Sequence, residues 1–194
     1  LAGGRSQRFG QDKAWACFQE KPLIQILIDT LKASQCDIVL SGPKQSLSPL
    51  NFPIIEDEVV FEGPLKALET ILSQTEAEKI LLTACDMPFL KKEVIDVLWE
   101  ESQSHDIVIL SNQNFPSPVP GVYDSKILPL IQKLLEKGRR DLKSLLQEDL
   151  KIKTLSPEFY EKHDPDYQSL WNVNTSKDLQ EYRDLKLKHD LDQS

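Results

Sequence analysis

Lys79-Ile80-Leu81-Leu82-Thr83-Ala84-Cys85-Asp86-Met87-Pro88 is the stretch on which the fold turns. Its first part is a continuous apolar run of strand length that stops abruptly at an acidic turn. A short run without alternation belongs to a strand covered on both faces, as in a mainly parallel sheet flanked by helices. The flanking segments agree. Upstream, Leu65, Leu68, Ile71 and Leu72 follow Gly63-Pro64 at helical spacing, and downstream Val94, Ile95, Val97 and Leu98 do the same. Further out, Pro22 opens a helix carrying Leu23, Ile24, Leu27, Ile28 and Leu31. Asp37-Ile38-Val39-Leu40, closed by Ser41-Gly42-Pro43, and Asp106-Ile107-Val108-Ile109-Leu110 are two more buried strands. The chain is an α/β alternation.

Beyond residue 112 the pattern loosens. Residues 112–120, rich in Asn, Ser and Pro, read as a loop leading into a short strand at 119–123. Ile127, Leu128, Leu130, Ile131, Leu134 and Leu135 define an amphipathic helix, broken at Gly138-Arg139-Arg140-Asp141. A short helix, a strand near 151–155 and a charged helix from Ser176 to about Lys188 complete the chain, with no internal repeat.

Composition sets limits on function. With 194 residues, 40% of them hydrophobic, the chain can bury about 70% of its extended surface in one domain, without disulfides or metals. Asp and Glu number 31 against 23 Lys and Arg, a formal charge of −8. That balance excludes bulk binding to nucleic acid or to anionic membrane, but not a local phosphate pocket. Cys17, Cys36 and Cys85 lack metal or disulfide spacing and read as reduced thiols of a cytoplasmic protein. No apolar run approaches the roughly 18 residues of a membrane span, and no signal peptide is evident. The sequence enters a glycine turn directly at Leu1, and a short strand is expected ahead of it.

In an open α/β sheet, ligands sit at the carboxyl ends of the strands. The first such segment is Leu1-Ala2-Gly3-Gly4-Arg5-Ser6-Gln7-Arg8-Phe9-Gly10-Gln11-Asp12-Lys13. Paired glycines let a backbone approach a phosphate closely, and Arg8 and Lys13 add charge; the alternative is an ordinary turn with solvated bases. The spacing is neither a Walker A loop nor GxGxxG. Asp86 suits a hard cation such as Mg²⁺, or simply a turn. Glu56-Asp57 ends another apolar run and reads equally as a solvated loop pair. Asn172-Val173-Asn174-Thr175 precedes the last helix, which Asn174 or Thr175 could cap. His105, His163 and His189 stand in polar surroundings without a nucleophile motif, and His163-Asp164-Pro165 reads as a loop.

Taken in order, Leu1-Ala2-Gly3-Gly4-x-Ser6-x-Arg8-x-Gly10-x-Asp12-Lys13-Ala14, Lys21-Pro22-Leu23, Glu56-Asp57, Gly63-Pro64-Leu65, Cys85-Asp86-Met87-Pro88-Phe89, Arg139-Arg140 and Asn172-Val173-Asn174-Thr175 resemble the molybdenum cofactor guanylyltransferases of the nucleotidyltransferase superfamily. The resemblance spans residues 1 to about 180. It implies a Rossmann-like, three-layer αβα fold with a mainly parallel, mixed sheet, a single domain whose N-terminal part binds nucleotide and whose C-terminal part binds molybdopterin. It further implies GMP transfer from GTP to molybdopterin with Mg²⁺, releasing pyrophosphate.

Residue by residue, the resemblance implies that the backbone of Leu1, Ala2 and Gly3 meets GTP, that Lys13 binds its phosphates and that Arg8 assists. Ser41 and Asp57 would line the nucleotide site, Asp86 would hold Mg²⁺, and Asn172 and Asn174 would lie on the molybdopterin side. Partners implied are the two substrates and, transiently, cofactor maturation proteins and recipient molybdoenzymes, with no nucleic acid and no membrane. Two positions depart from the family pattern: Ala67 stands where a glycine is usual after Gly63-Pro64-Leu65, and Ser41 where Asn is frequent. The rival readings are cytidylyl or other nucleotidyl transfer, to molybdopterin or a sugar phosphate, and a nucleotide-binding regulator without turnover. Gly3 favours guanylyl transfer, since cytidylyl relatives usually carry Ala-Ala-Gly at that point.

Overall fold

The computed structural model describes residues 1–2, 13–56, 62–112 and 115–192, with 185–192 as backbone alone. After a single 3₁₀ turn at Lys13–Trp15 come β1 (Cys17–Phe18), β2 (Lys21–Pro22), α1 (Leu23–Ala33), β3 (Leu40–Ser41), α2 (Lys44–Leu47) and β4 (Ile54–Ile55). Next are α3 (Pro64–Gln74), β5 (Lys79–Leu82), α4 (Lys92–Glu101), β6 (Ile107–Asn112), β7 (Phe115–Asp124) and α5 (Leu128–Glu136). A 3₁₀ segment at Leu142–Gln147 leads to β8 (Ile152–Leu155), α6 (Pro157–Tyr160) and α7 (Ser176–Asp192). No helix among the described residues is long and apolar enough to cross a membrane.

The principal sheet has the order β5-β7-β6-β8. β7 runs antiparallel to both neighbours and β6 is parallel to β8, so β5, β6 and β8 point the same way. β3 and β4 form a separate parallel pair. Leu1 and Ala2 bridge the two sheets: the Leu1 nitrogen donates to the Thr83 carbonyl at 2.6 Å, Cys85 N–H to Leu1 at 2.9 Å and Ala2 N–H to Ser41 at 2.8 Å.

Successive side chains of a strand point to opposite faces, and β6 shows why its sequence is apolar throughout. Ile107 and Ile109 pack with Leu65, Leu68, Ile131 and Leu134 of α3 and α5. Val108 and Leu110 pack with Leu27, Val94, Ile95 and Leu98 of α1 and α4. Helices therefore cover both faces, giving the three layers expected, with one reversed strand making the sheet mixed.

Two expectations change. Residues 115–118, read as loop, are the first half of β7. Three prolines, at 116, 118 and 120, argue against a central strand, but β5 pairs only with residues 121–124. Residues 115–117 face β6 alone, an edge where a missing N–H is tolerated. A register shift at Ile109/Leu110 re-aims the strand there. The strand read at 37–40 forms a ladder only at its end, Leu40 and Ser41, where β4 lies alongside.

Candidate active site

Lys13 is held from below and from the side. The 3₁₀ turn buries Ala14 completely against Ile24, Ile28, Leu40 and Leu47. Ala16 N–H returns to the Lys13 carbonyl at 3.2 Å, and Trp15 Nε1–H donates to Ser46 Oγ in α2 at 3.0 Å. A flexible lysine stem is thus launched from a fixed backbone.

Asp86 arrives from the opposite direction. Beyond β5 the chain turns at Cys85-Asp86, with Met87 N–H bonded to the Ala84 carbonyl at 2.9 Å and Met87 and Leu90 driven into the core. Cys85 is partly exposed in this turn. The turn delivers Asp86 Oδ2 to 3.0 Å from Lys13 Nζ, with the two side chains 16% and 28% exposed. A pair so partly screened is held by local geometry more than by its own attraction.

The third member comes from the C-terminal segment. Val173 is fully buried, and its N–H donates to the Asp86 carbonyl at 2.8 Å. The next residue, Asn174, accepts from Lys13 Nζ through Oδ1 at 3.0 Å. Behind it, an aromatic cluster seats α7: Tyr182 stacks on Phe89, and Phe18 and Trp171 meet the Tyr182 ring edge-to-face. Thr175-Ser176-Lys177-Asp178 forms a capping box, Asp178 Oδ2 accepting from Thr175 N–H at 2.9 Å and from Asn174 N–H at 2.6 Å. Partial burial works to raise the Asp178 carboxyl, but those N–H groups, the Thr175 hydroxyl and the field of Lys13 outweigh it and hold it below the usual carboxylate range.

Other expected site residues divide. Ser41 is 3% exposed at the end of β3, its carbonyl taken by Ala2. Glu56 is committed to structure: Oε1 accepts from Lys44 N–H at 2.9 Å and closes the turn into α2. Gly3, Arg8 and Asp57 lie outside the described residues. Asn172 is exposed beside Val173. Gly63 has φ +91°, and a Cβ there would fall 2.6 Å from the Arg140 carbonyl oxygen. Leu65 N–H bonds that same oxygen at 3.1 Å, so the Gly63-Pro64-Leu65 motif and the Arg139-Arg140 loop are packed as one unit. Arg140 is a brace, its guanidinium donating to the carbonyls of Leu135 and Arg139. Ala67, in place of the usual glycine, is buried within α3.

Sequence reading did not foresee the Lys13–Asn174 contact or the role of Asp178. The Thr175-x-x-Asp178 spacing was the available signal. His163-Asp164-Pro165 is a loop, as read, but the reading did not foresee that the Asp164 side chain is fully buried, paired with Lys91 at 3.0 Å and bonded by Ser169 N–H at 2.7 Å. Behind Leu1 and Ala2 lies a groove of about 600 Å³, walled largely by Leu27, Leu31, Val39, Ile80 and Leu81. Its lining is mostly apolar and includes none of Lys13, Asp86 and Asn174.

Lys13, Asp86 and Asn174 thus meet just beyond the carboxyl end of β5 in an open α/β sheet, and the comparisons with known proteins make the chain a nucleotidyltransferase. Residues 1–153 match the family described as the MobA-like NTP transferase domain, and the chain belongs to that family. Relatives include the molybdenum cofactor guanylyltransferase of Desulfosudis oleivorans, 33% identical over 93% of this chain and 90% of that one. The probable molybdenum cofactor guanylyltransferase of Carboxydothermus hydrogenoformans is 29% identical over 93% and 91%. Among solved structures, molybdopterin-guanine dinucleotide biosynthesis protein A from Archaeoglobus fulgidus aligns with TM-score 0.80 over 96% of each chain, at 23% identity. At that identity the likeness speaks to the fold.

Proposed function

We propose that this chain transfers GMP from GTP to the terminal phosphate of molybdopterin, releasing pyrophosphate, in the cytoplasm beside the maturation proteins and recipient molybdoenzymes that handle the cofactor. The observation that carries the reading is the meeting of Asp86 Oδ2 and Asn174 Oδ1 at Lys13 Nζ, each 3.0 Å from it, across sequence separations of 73 and 161 residues. Family membership supplies the reaction class, and the names of the relatives supply the substrates.

The reaction joins two anions. An oxygen of the molybdopterin phosphate attacks the α-phosphorus of GTP, the bond to the β-phosphate oxygen breaks, and pyrophosphate leaves with the electron pair. A phosphate monoester is already ionised near neutral pH, so no general base is needed. The difficulty is charge repulsion, which fixed cations and positioning relieve. Lys13 is the described cation at the site, and Arg8 is proposed to assist it. Leu1, Ala2, Gly3, Ser41 and Asp57 form the proposed nucleotide side, Asn172 and Asn174 the molybdopterin side.

A divalent cation fits the donor set. Mg²⁺ takes one or two carboxylates and fills its remaining positions with phosphate oxygens and water. Asp86 offers such a carboxylate at the mouth of β5, 28% exposed and engaged through one oxygen by Lys13. We assign Mg²⁺ to Asp86, where it would neutralise phosphate charge. Recombinant protein with GTP, molybdopterin and Mg²⁺ should release pyrophosphate and form the guanine dinucleotide. Absence of pyrophosphate release with GTP, CTP and ATP alike would exclude the reading.

The base choice gives a second measurement. GTP is expected to win over CTP and ATP, with a softer contrast than in relatives that carry Asn at the Ser41 position. A site built to hydrogen-bond its ligand rejects analogues by leaving polar groups unpaired. Ser41→Asn adds an amide donor and acceptor, worth about 1 kcal/mol or a several-fold gain in guanine preference. Competitive transfer from equal GTP and CTP reads this directly, with thermal unfolding checking that the buried position accepts the larger side chain. A native preference for CTP would overturn the guanylyl assignment and leave nucleotidyl transfer standing.

A further inference from the structure

The capping box of α7 reaches one residue further than a helix start requires. In the ordinary arrangement the N3 carboxylate accepts from the N-cap N–H while the N-cap hydroxyl meets the N3 backbone. Here Thr175 and Asp178 complete that exchange, with Thr175 N–H at 2.9 Å, the hydroxyl on Oδ1 at 2.9 Å and Asp178 N–H on the hydroxyl at 3.3 Å. The same Oδ2 also takes Asn174 N–H at 2.6 Å, the shortest bond of the group. One residue earlier, Val173 N–H is fixed to the Asp86 carbonyl at 2.8 Å. Asn174 is therefore pinned on both flanks, and between those pins its side chain reaches Lys13.

We propose that Asp178 is a positioning residue for Lys13, acting through Asn174. The inference rests on the reading of Lys13 as the phosphate-binding lysine. Two of the partners of Lys13 differ in character. Asp86 is a carboxylate, which cancels the charge of the ammonium and is itself assigned to a cation. Asn174 is neutral, so its Oδ1 orients the ammonium without cancelling its charge. An amide contact orients the ammonium while its full charge still acts on phosphate oxygens. The contact steers Lys13 only if the Asn174 backbone is immobile, and Asp178 makes it so. Tyr182, one turn along α7 and stacked on Phe89, ties the same helix face to the turn that carries Asp86.

The experiment is a double-mutant cycle with two readouts. Asn174→Ala, Asp178→Ala and the double variant are compared for kcat and for KM toward GTP at saturating molybdopterin. Amine-reactive labelling of Lys13, read by mass spectrometry with exposed Lys177 as internal reference, is followed in parallel. If Asp178 acts through Asn174, each single variant loses about tenfold in kcat/KM for GTP and the double variant loses no more than Asn174→Ala. Lys13 labelling rises in both singles while Lys177 is unchanged. Multiplicative losses, or a lowered melting temperature with kcat/KM and labelling unmoved, would reduce Asp178 to a helix cap and overturn the proposal. Asp178→Asn, which keeps an acceptor oxygen, serves in place of Asp178→Ala if that variant fails to fold. Should the unsubstituted protein turn over no nucleotide, the functional reading of Lys13 fails instead, and the labelling alone decides whether Asp178 positions it.

Discussion

Lys13→Ala is expected to lower guanylyl transfer by at least a hundredfold while leaving the fold intact. The loss of rate follows from where the charge sits. Removing one fixed donor from the place where phosphate charge must be stabilised costs about 10²–10³ in kcat. The surrounding backbone cannot compensate, because Ala14 and Trp15 lock the turn and no other lysine is tied to Asp86 among the described residues. The small effect on stability follows from what Lys13 does not do. Its ion pair with Asp86 is partly solvated, which places its worth at about 0–1 kcal/mol. For a chain of this size that is a shift of a few degrees at most in the thermal midpoint. Thermal unfolding and pyrophosphate release, measured on the same preparation, separate the two effects. Activity retained within a few-fold would make Lys13 a surface charge and remove the central member of the site.

The sequence spoke clearly where local physics decides the outcome. β6 could be read as a strand buried on both faces because Ile107, Val108, Ile109 and Leu110 are all apolar, and each face has its own helices. α1, α3, α4 and α5 followed from helical spacing, with Pro22 and Gly63-Pro64 marking two of the starts. Lys13 and Asp86 were legible as candidates because a glycine-rich turn with basic residues and an acidic turn after an apolar run fall where an open α/β sheet binds its ligands. What stayed hidden depends on neighbours far away in the chain. Residues 115–117 are strand because they pair with Leu110, Ser111 and Asn112 of β6, and their prolines are tolerated because β5 stops short of them. Asp164 is a plain loop residue until Lys91 meets it. Asn174 reads as a residue near a helix cap, and only a contact spanning 161 positions turns it toward Lys13. A local window sees the cap and not the lysine.

Asp86→Asn is expected to abolish the Mg²⁺-dependent part of GTP binding while sparing the part that needs no metal. The argument turns on what the substitution keeps. Asparagine preserves the size of the side chain, and its amide oxygen can still accept from Lys13 at the position Oδ2 now holds, 3.0 Å away. The anchoring of the turn is backbone work, through Met87 N–H on Ala84 and Val173 N–H on the Asp86 carbonyl, and survives. What disappears is the negative charge, and a hard cation at a site with few protein ligands depends on that charge. Lys13, no longer neutralised by a carboxylate, should attract the triphosphate at least as well as before. Calorimetry with GTP in the presence and absence of Mg²⁺ should therefore show a metal increment of tenfold or more in the native protein. In the variant that increment is lost and the metal-free affinity is equal or slightly higher. A fall in metal-free affinity would mean that Asp86 orders Lys13 rather than the cation. An unchanged increment would move the cation to another carboxylate, with Asp57 the next to substitute.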